Sequence, residues 1–534
     1  MIHGGAERHL LGLAMAMGAG DVPGWSDTER ELVADLPIPS ESEVREAVGA
    51  VAAGRDVLGE MLCRIRSPRE RRPQGATYTP LPIVGAMVTW AERHVLPARV
   101  IDPGAGTGRF AVAAARRFRG ATLVAVELDP VPAILCRGHL AAAGMAGRSH
   151  VLTQDYRRVE LEPLGAGRQT LFMGNPPYVR HHGIGPEWKA WLTAEGRRRG
   201  LKPSTLAGLH VHFFLATANL SREGDVACFI TSAEWLDVNY GRMVRELLLN
   251  GLGMERLLVL EPTAEPFPDA QTTAAIVCME VGARSNAIRV GRVDHADNLG
   301  DLRGGRRVRR ERFEIEHRWS RLTRRARKAP EGFVELGEFC RVHRGTATGA
   351  NRVWIAGEHA CGLPPEMLRP AVTKARELYD AGEALRADSG LRRVIDLPAN
   401  LDELDSEARA AAERFLRFAR ECGAHESYIA RHRKPWWAIR LRSPAPILAT
   451  YMARRAPAFV RNIAEARHLN IAHGLYPTTP MDDAALENLV AYLHNSVNTA
   501  DGRTYAGGLT KFEPREMERL LVPDPAALAS GVPS

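Results

Sequence analysis

The chain has 534 residues, enough for two to four domains with sizeable cores, and its 45% hydrophobic and 25% charged content is globular rather than disordered or fibrous. Its net charge of +8, carried mostly by arginine, favours a polyanionic partner. No apolar run approaches membrane-span length, and the seven cysteines form no CxxC pair, which argues against a zinc site or disulfide framework and for a reducing, cytoplasmic compartment.

Residues 1–72 read as a helical preamble. Apolar residues recur at near-helical spacing over 43–64, and a basic cluster follows at Arg64, Arg66, Arg69, Arg71 and Arg72. No metal-binding carboxylate–lysine arrangement stands there, so no cleavage activity is expected. The stretch GATYTP at 75–80 leads into a helix over 83–94, with Pro80 and Pro82 suited to its entry.

A strand over 99–102 ends in Asp102. The loop Pro103-Gly104-Ala105-Gly106-Thr107-Gly108 follows, and then a helix over 109–118. Glycines there permit a tight turn and close approach of a ligand to backbone. A second strand, 122–126, ends in Glu127, placed to accept from ribose hydroxyls; a third, 151–153, precedes Asp155, placed to accept from an adenine amino group. In strand–loop–helix order these pieces predict a nucleoside-cofactor site.

The apolar run Leu171-Phe172-Met173 predicts a buried parallel strand, stopped by Asn175-Pro176-Pro177-Tyr178 because neither proline can donate to a ladder. The Asn175 amide oxygen and the Pro176 carbonyl can both accept from one planar amino group, and Tyr178 offers a face to a flat ring. Such a clamp suits methylation of nitrogen on a base or an amide. Further strands are predicted over 226–230, 257–260 and 273–279, giving about seven in a doubly wound domain, with helices over 209–220 and 242–249. Phe267 lies in the loop between the last two strands. Residues 303–328 are densely basic around Trp319 and read as part of a linker able to touch phosphates. Residues 330–534 open on a donor-rich loop, Arg344–Arg352, and read as a second α/β or α+β domain.

The motifs GATYTP, VIDPGAGTGRF, AVELDP, TQDY and GNPPY, in that order, resemble the gamma class of amino-methylating DNA methyltransferases. Weaker echoes, HRGTATGANRVWI and LTKFEPREMERLLVPDP, extend the likeness through the tail. The resemblance implies an α/β protein: a Rossmann-like catalytic domain over 73–285 that binds S-adenosylmethionine, a basic linker over 286–329, and a C-terminal mixed α/β target-recognition domain over 330–534. It carries over Thr79, Asp102, Gly104, Gly106, Glu127 and Asp155 as cofactor contacts. It carries over Asn175, Pro176 and Tyr178 as the catalytic clamp, with Pro177 and Phe267 beside the target base. The implied substrate is adenine N6 in double-stranded DNA, with the base flipped out of the stack, and the implied partner is a cognate restriction endonuclease. N4-cytosine methylation, a protein-glutamine or RNA substrate, and a noncatalytic specificity protein stay open as alternatives. No metal is expected.

Overall fold

The computed structural model describes residues 4–71, 75, 77–261, 264, 273–323, 329–453, 455–498, 501–505 and 509–531. It forms two compact units, Met1–Ala326 and Arg327–Ser534.

In the first unit, nine described strands make one sheet. They are β1 (Arg99–Pro103), β2 (Thr122–Glu127), β3 (Ser149–Thr153), β4 (Thr170–Gly174), β5 (Val226–Ser232), β6 (Met254–Leu260), β7 (Ala274–Glu280), β8 (Ala287–Val293) and β9 (Arg306–Arg309). Their order is β3-β2-β1-β4-β5-β7-β6-β8-β9, with β7 antiparallel to both β5 and β6. The central strands β4 and β5 are buried at every residue, as strands covered on both faces must be. Side-chain alternation splits the core in two. Val100, Leu123, Leu171 and Met173 face α6 (Leu81–Glu92) and α7 (Arg109–Arg117). Ile101, Val126 and Phe172 face α9 (Pro186–Arg198), α10 (Leu209–Leu220) and α11 (Arg242–Asn250).

The expected preamble is an integral layer of this unit. Helices α1 (Gly4–Ala16), α2 (Asp27–Leu32), α3 (Glu41–Ala52) and α4 (Val57–Ile65) precede α5 (Pro68–Arg71). Leu10, Leu11, Val51, Leu58 and Leu62 bury against Val131, Ile134 and Leu135 of α8 (Pro130–Ala142). The continuous helical spacing expected over 43–64 breaks at Gly54, whose φ is +90°, and Asp56 caps the second piece by accepting from Gly59 N at 3.0 Å. Inside this layer Arg137 of α8 forms an ion pair with Glu29 at 2.9 Å, both side chains wholly buried. Arg137 also donates to the carbonyls of Val22, Pro23 and Val151, lashing the N-terminal segment to edge strand β3.

The linker expected over 286–329 is corrected by β8 and β9, which extend the sheet. Ile288, Val290 and Val308 point into the core while Arg306, Arg307 and Arg309 stay exposed. Arg306, Arg307 and Arg309, which read as part of a linker, lie on the solvated side of an edge strand, where charge blocks further pairing, while residues 324–328 of the basic run lie outside the described residues. Trp319 lies buried edge-on to Phe313 and Trp235, at ring-centroid distances of 4.9 and 6.1 Å.

The second unit is mixed α/β. A five-stranded sheet in the order 340–344, 472–477, 447–450, 459–462, 384–385 carries the helix Asp483–Ser496 through Leu486, Leu489, Val490 and Leu493. A three-stranded sheet (392–395, 368–372, 467–468) packs with the helix Ser406–Glu421 around Trp354, Val394 and Phe415. Among the described residues, no helix is long and apolar enough to cross a membrane.

Candidate active site

A cavity of about 740 Å³ opens at the carboxyl ends of β1, β2, β3 and β4, where open α/β sheets hold their ligands. Its lining takes in Thr79, Gly104, Gly106, Glu127, Asp155, Asn175 and Pro177 from the sequence-predicted set. Asp102, Pro176 and Tyr178 are not among the lining residues. Phe267 lies outside the described residues.

The turn after β1 shapes the floor. Gly104 and Gly106 have φ of +73° and +56°, the left-handed region that L side chains rarely adopt. Gly104 N and Ala105 N both donate to Val126 O, at 2.8 and 2.9 Å, which pulls the loop onto the end of β2. There Glu127 receives Gly106 N at 2.7 Å on one carboxylate oxygen and Asp129 N at 2.9 Å on the other. Burial raises its pKa against those two bonds. Each oxygen keeps a further lone pair for a ligand hydroxyl.

Asp102 does a different job. It is buried, and its Oδ2 accepts from Ala111 N at 2.9 Å, fixing the first turn of α7 behind the loop. Its Oδ1 is buried without a partner, and desolvation pushes its pKa up to about 8. Gly174 is required beside it, because a Cβ there would stand 2.8 Å from Asp102 Oδ1 and 3.2 Å from Pro103 Cδ.

Asn175 is fixed from the GATYTP side. Asn175 Nδ2 donates to Thr77 O and to Thr79 Oγ1, both at 3.0 Å. A carbonyl such as Thr77 O only accepts, so the amide orientation is set by chemistry. Asn175 Oδ1 is left buried without a partner. Tyr178 N donates to Gly75 O at 3.1 Å, and the Tyr178 ring packs half-buried against the β1–β4 core.

Several lining residues have no counterpart in the sequence reading. Asp155 is held by Arg157, whose N, Nε and second guanidinium nitrogen donate to it at 2.9, 2.8 and 2.5 Å. The same guanidinium sits 3.6 Å from the centroid of Trp188 and donates to His212 Nδ1 at 3.2 Å, and burial lowers the His212 pKa to about 3. Tyr78 stands beside the glycine loop under Arg109, at 5.2 Å. Arg109 in turn pairs with buried Asp56 and donates to Thr79 O at 2.8 Å. Thr28, Leu32 and Arg66 reach the cavity from the N-terminal layer, with Arg66 bridging Glu7 and Asp129 at 2.6 and 2.5 Å. The tyrosine of GATYTP was a readable signal. The Arg157–Trp188 contact was not, since nothing in their spacing pairs them.

Five carboxylates (Glu70, Glu127, Asp129, Asp155, Glu187) and three arginines (Arg66, Arg109, Arg157) line the cavity. That acidic surplus fits a cofactor carrying a sulfonium and an ammonium, and Glu127 fits a ribose. Among the described residues, no cluster of His, Cys, Asp and Glu suits a metal ion.

Two family profiles match the chain: the Eco57I restriction-modification methylase over residues 169–264, and the C-terminal domain of type II methyltransferase M.Eco57I over residues 315–532. The type II methyltransferase M.XamI of Xanthomonas campestris pv. amaranthicola is 49% identical over 523 residues, covering 97% of this chain and 98% of that protein. M.AccI of Acinetobacter calcoaceticus, also a type II methyltransferase, is 20% identical over 86% of this chain and 87% of its own length. The crystal structure of the type IIG restriction endonuclease BpuSI shares the fold, with a TM-score of 0.51 and 15% identity over 98% of this chain and 70% of that one. The chain therefore belongs to the type II methyltransferases of restriction-modification systems, DNA methyltransferases that use S-adenosylmethionine.

Proposed function

We propose that this enzyme methylates the N6 amino group of an adenine flipped out of duplex DNA. The observation that carries the reading is Asn175: its amide nitrogen is tied to Thr77 O and Thr79 Oγ1, while its oxygen is buried and has no partner. A buried acceptor left open costs free energy unless a ligand fills it, and an exocyclic amino group is a ligand that does. When bound, the cofactor supplies an already activated methyl group. The chain's task is then placement. Asn175 Oδ1 and the Pro176 carbonyl accept the two amino hydrogens, Pro177 lines the approach, and Tyr178 stacks on the base. Glu127 accepts from the ribose hydroxyls of the cofactor, and Asp155 accepts from its adenine. Gly104 and Gly106 bring backbone close to the cofactor. Thr79 holds the clamp in register.

The second unit, on this reading, chooses the DNA sequence, and a cytoplasmic restriction endonuclease reads the same sequence. Expression of the full chain in cells without DNA methylation, followed by base-resolution mapping of modified DNA, tests the proposal. N6-methyladenine at one recurring sequence, absent with Asn175→Ala, is expected. N4-methylcytosine, or methyl transfer only to protein or RNA, overturns it.

A further inference from the structure

Residues 427–442, SYIARHRKPWWAIRLR, carry five cations and no acid. Three other arginines of the second unit do meet carboxylates: Arg376 with Asp380 at 3.2 Å, Arg393 with Asp388 at 2.9 Å, and Arg409 with Asp402 at 2.6 Å. Among the described residues, no carboxylate pairs with Arg431, Arg433, Lys434, Arg440 or Arg442. Three of them donate to backbone carbonyls instead. Arg431 Nε reaches Glu426 O at 2.6 Å, Arg440 reaches Lys434 O at 2.9 Å, and Arg433 reaches Thr348 O at 3.2 Å and Ala347 O. Such bonds aim the guanidinium groups but leave their charge uncompensated. Arg433 also fastens the donor-rich 344–352 loop to this segment.

The segment is rigid where it meets the core and open where it does not. Trp436 packs edge-on to Trp437 and to buried Trp354, Trp437 Nε1 donates to Pro398 O at 3.2 Å, and Ala438 and Ile439 are buried. Tyr428 is 77% exposed, with His432 against its ring at 4.2 Å. Arg440 holds a left-handed φ of +53°, a cost that the surrounding anchors sustain. An exposed aromatic beside unpaired cations on a fixed frame matches duplex DNA, which offers both phosphates and an apolar sugar–base surface.

We infer that residues 427–442 form a DNA-gripping surface of the second unit, with Arg431, Lys434 and Arg442 on phosphates and Tyr428 against the bases; this rests on the DNA reading above. The experiment measures affinity of the full chain for a duplex carrying the mapped target, across salt concentration. Arg431→Gln/Lys434→Gln/Arg442→Gln is expected to flatten the log–log salt slope by about 0.9 for each phosphate no longer neutralised. The control Arg376→Gln/Arg409→Gln, which removes carboxylate-paired cations, is expected to leave the slope unchanged. Tyr428→Ala is expected to weaken binding roughly 5- to 150-fold at an unchanged slope, with Tyr428→Phe restoring it. S-adenosylmethionine affinity and melting temperature report folding of every variant. A folded triple variant with the wild-type slope overturns the surface while wild-type DNA methylation stands. Absence of DNA methylation by the wild type overturns the underlying reading and the surface with it.

Discussion

Thr79 Oγ1 accepts a 3.0 Å hydrogen bond from Asn175 Nδ2 across 96 residues of chain, so the segment entering α6 holds Asn175 at the end of β4. Thr79 is itself held, because Arg109 donates to its carbonyl at 2.8 Å and is anchored on Asp56. Removing the hydroxyl should loosen the Asn175 amide, which on the proposed reading meets the substrate. Thr79→Val is expected to lower kcat roughly five- to tenfold, the worth of one orienting hydrogen bond, with Thr79→Ser near wild type. Single-turnover methyl transfer alongside calorimetric cofactor binding makes the check. A large loss of cofactor affinity with unchanged turnover would contradict the assignment.

The buried Arg137–Glu29 pair fastens the N-terminal layer to α8 of the first unit. Both side chains are fully buried, so deleting one leaves an uncompensated charge. Glu29→Leu is expected to cost about 3–5 kcal/mol in urea unfolding. Arg137→Met with Glu29→Leu should cost much less than the two single changes added together.

The central sheet was legible from sequence because β1, β4 and β5 are short apolar runs bounded by glycine or proline, signals that need no partner to interpret. Helix α10 was read to its ends for the same reason. The two outer strands β8 and β9 were not, since arginine alternating with Ile288, Val290 and Val308 mimics a charged linker until a sheet edge is there to explain it. At the site, the motifs pointed to Glu127 and Asn175, both of which line the cavity. What they could not announce is that Asp102 faces the first turn of α7, or that Thr28 and Arg66 come in from the N-terminal layer. Those relations depend on packing between distant segments.

Asp102 also predicts a pH dependence for the cofactor-free protein. Burial pushes its pKa up to about 8, the single Ala111 hydrogen bond opposing and the neighbouring Glu127 charge adding to the rise. A carboxyl whose folded pKa lies above its unfolded value binds more protons when folded. Its stabilising contribution is thus full below its ordinary value of 3.8 and is lost as pH rises through about 8. Asp102→Asn, which cannot ionise, should gain melting temperature relative to wild type as pH rises through that window. Parallel melting curves at every pH would show that Asp102 does not titrate this way.

Glu127 should behave differently, because it faces the cavity while Asp102 faces a helix. Both Glu127 oxygens already receive backbone N–H groups, Gly106 N at 2.7 Å and Asp129 N at 2.9 Å. A glutamine in its place can accept one of those bonds but must turn its NH2 towards the other donor. The loop that carries Gly106 would then move, and one acceptor for the ribose would be lost. Each defect is worth about 1–3 kcal/mol, so Glu127→Gln is expected to weaken S-adenosylmethionine binding roughly ten- to a hundredfold. The loss should be equally large for S-adenosylhomocysteine, since the ribose is common to both and the sulfonium is not. Asp102→Asn should weaken cofactor binding less, because its effect reaches the loop only through Ala111 N and α7. Calorimetry with both ligands on both variants decides the matter: a loss confined to the sulfonium cofactor would assign Glu127 to charge rather than to the ribose.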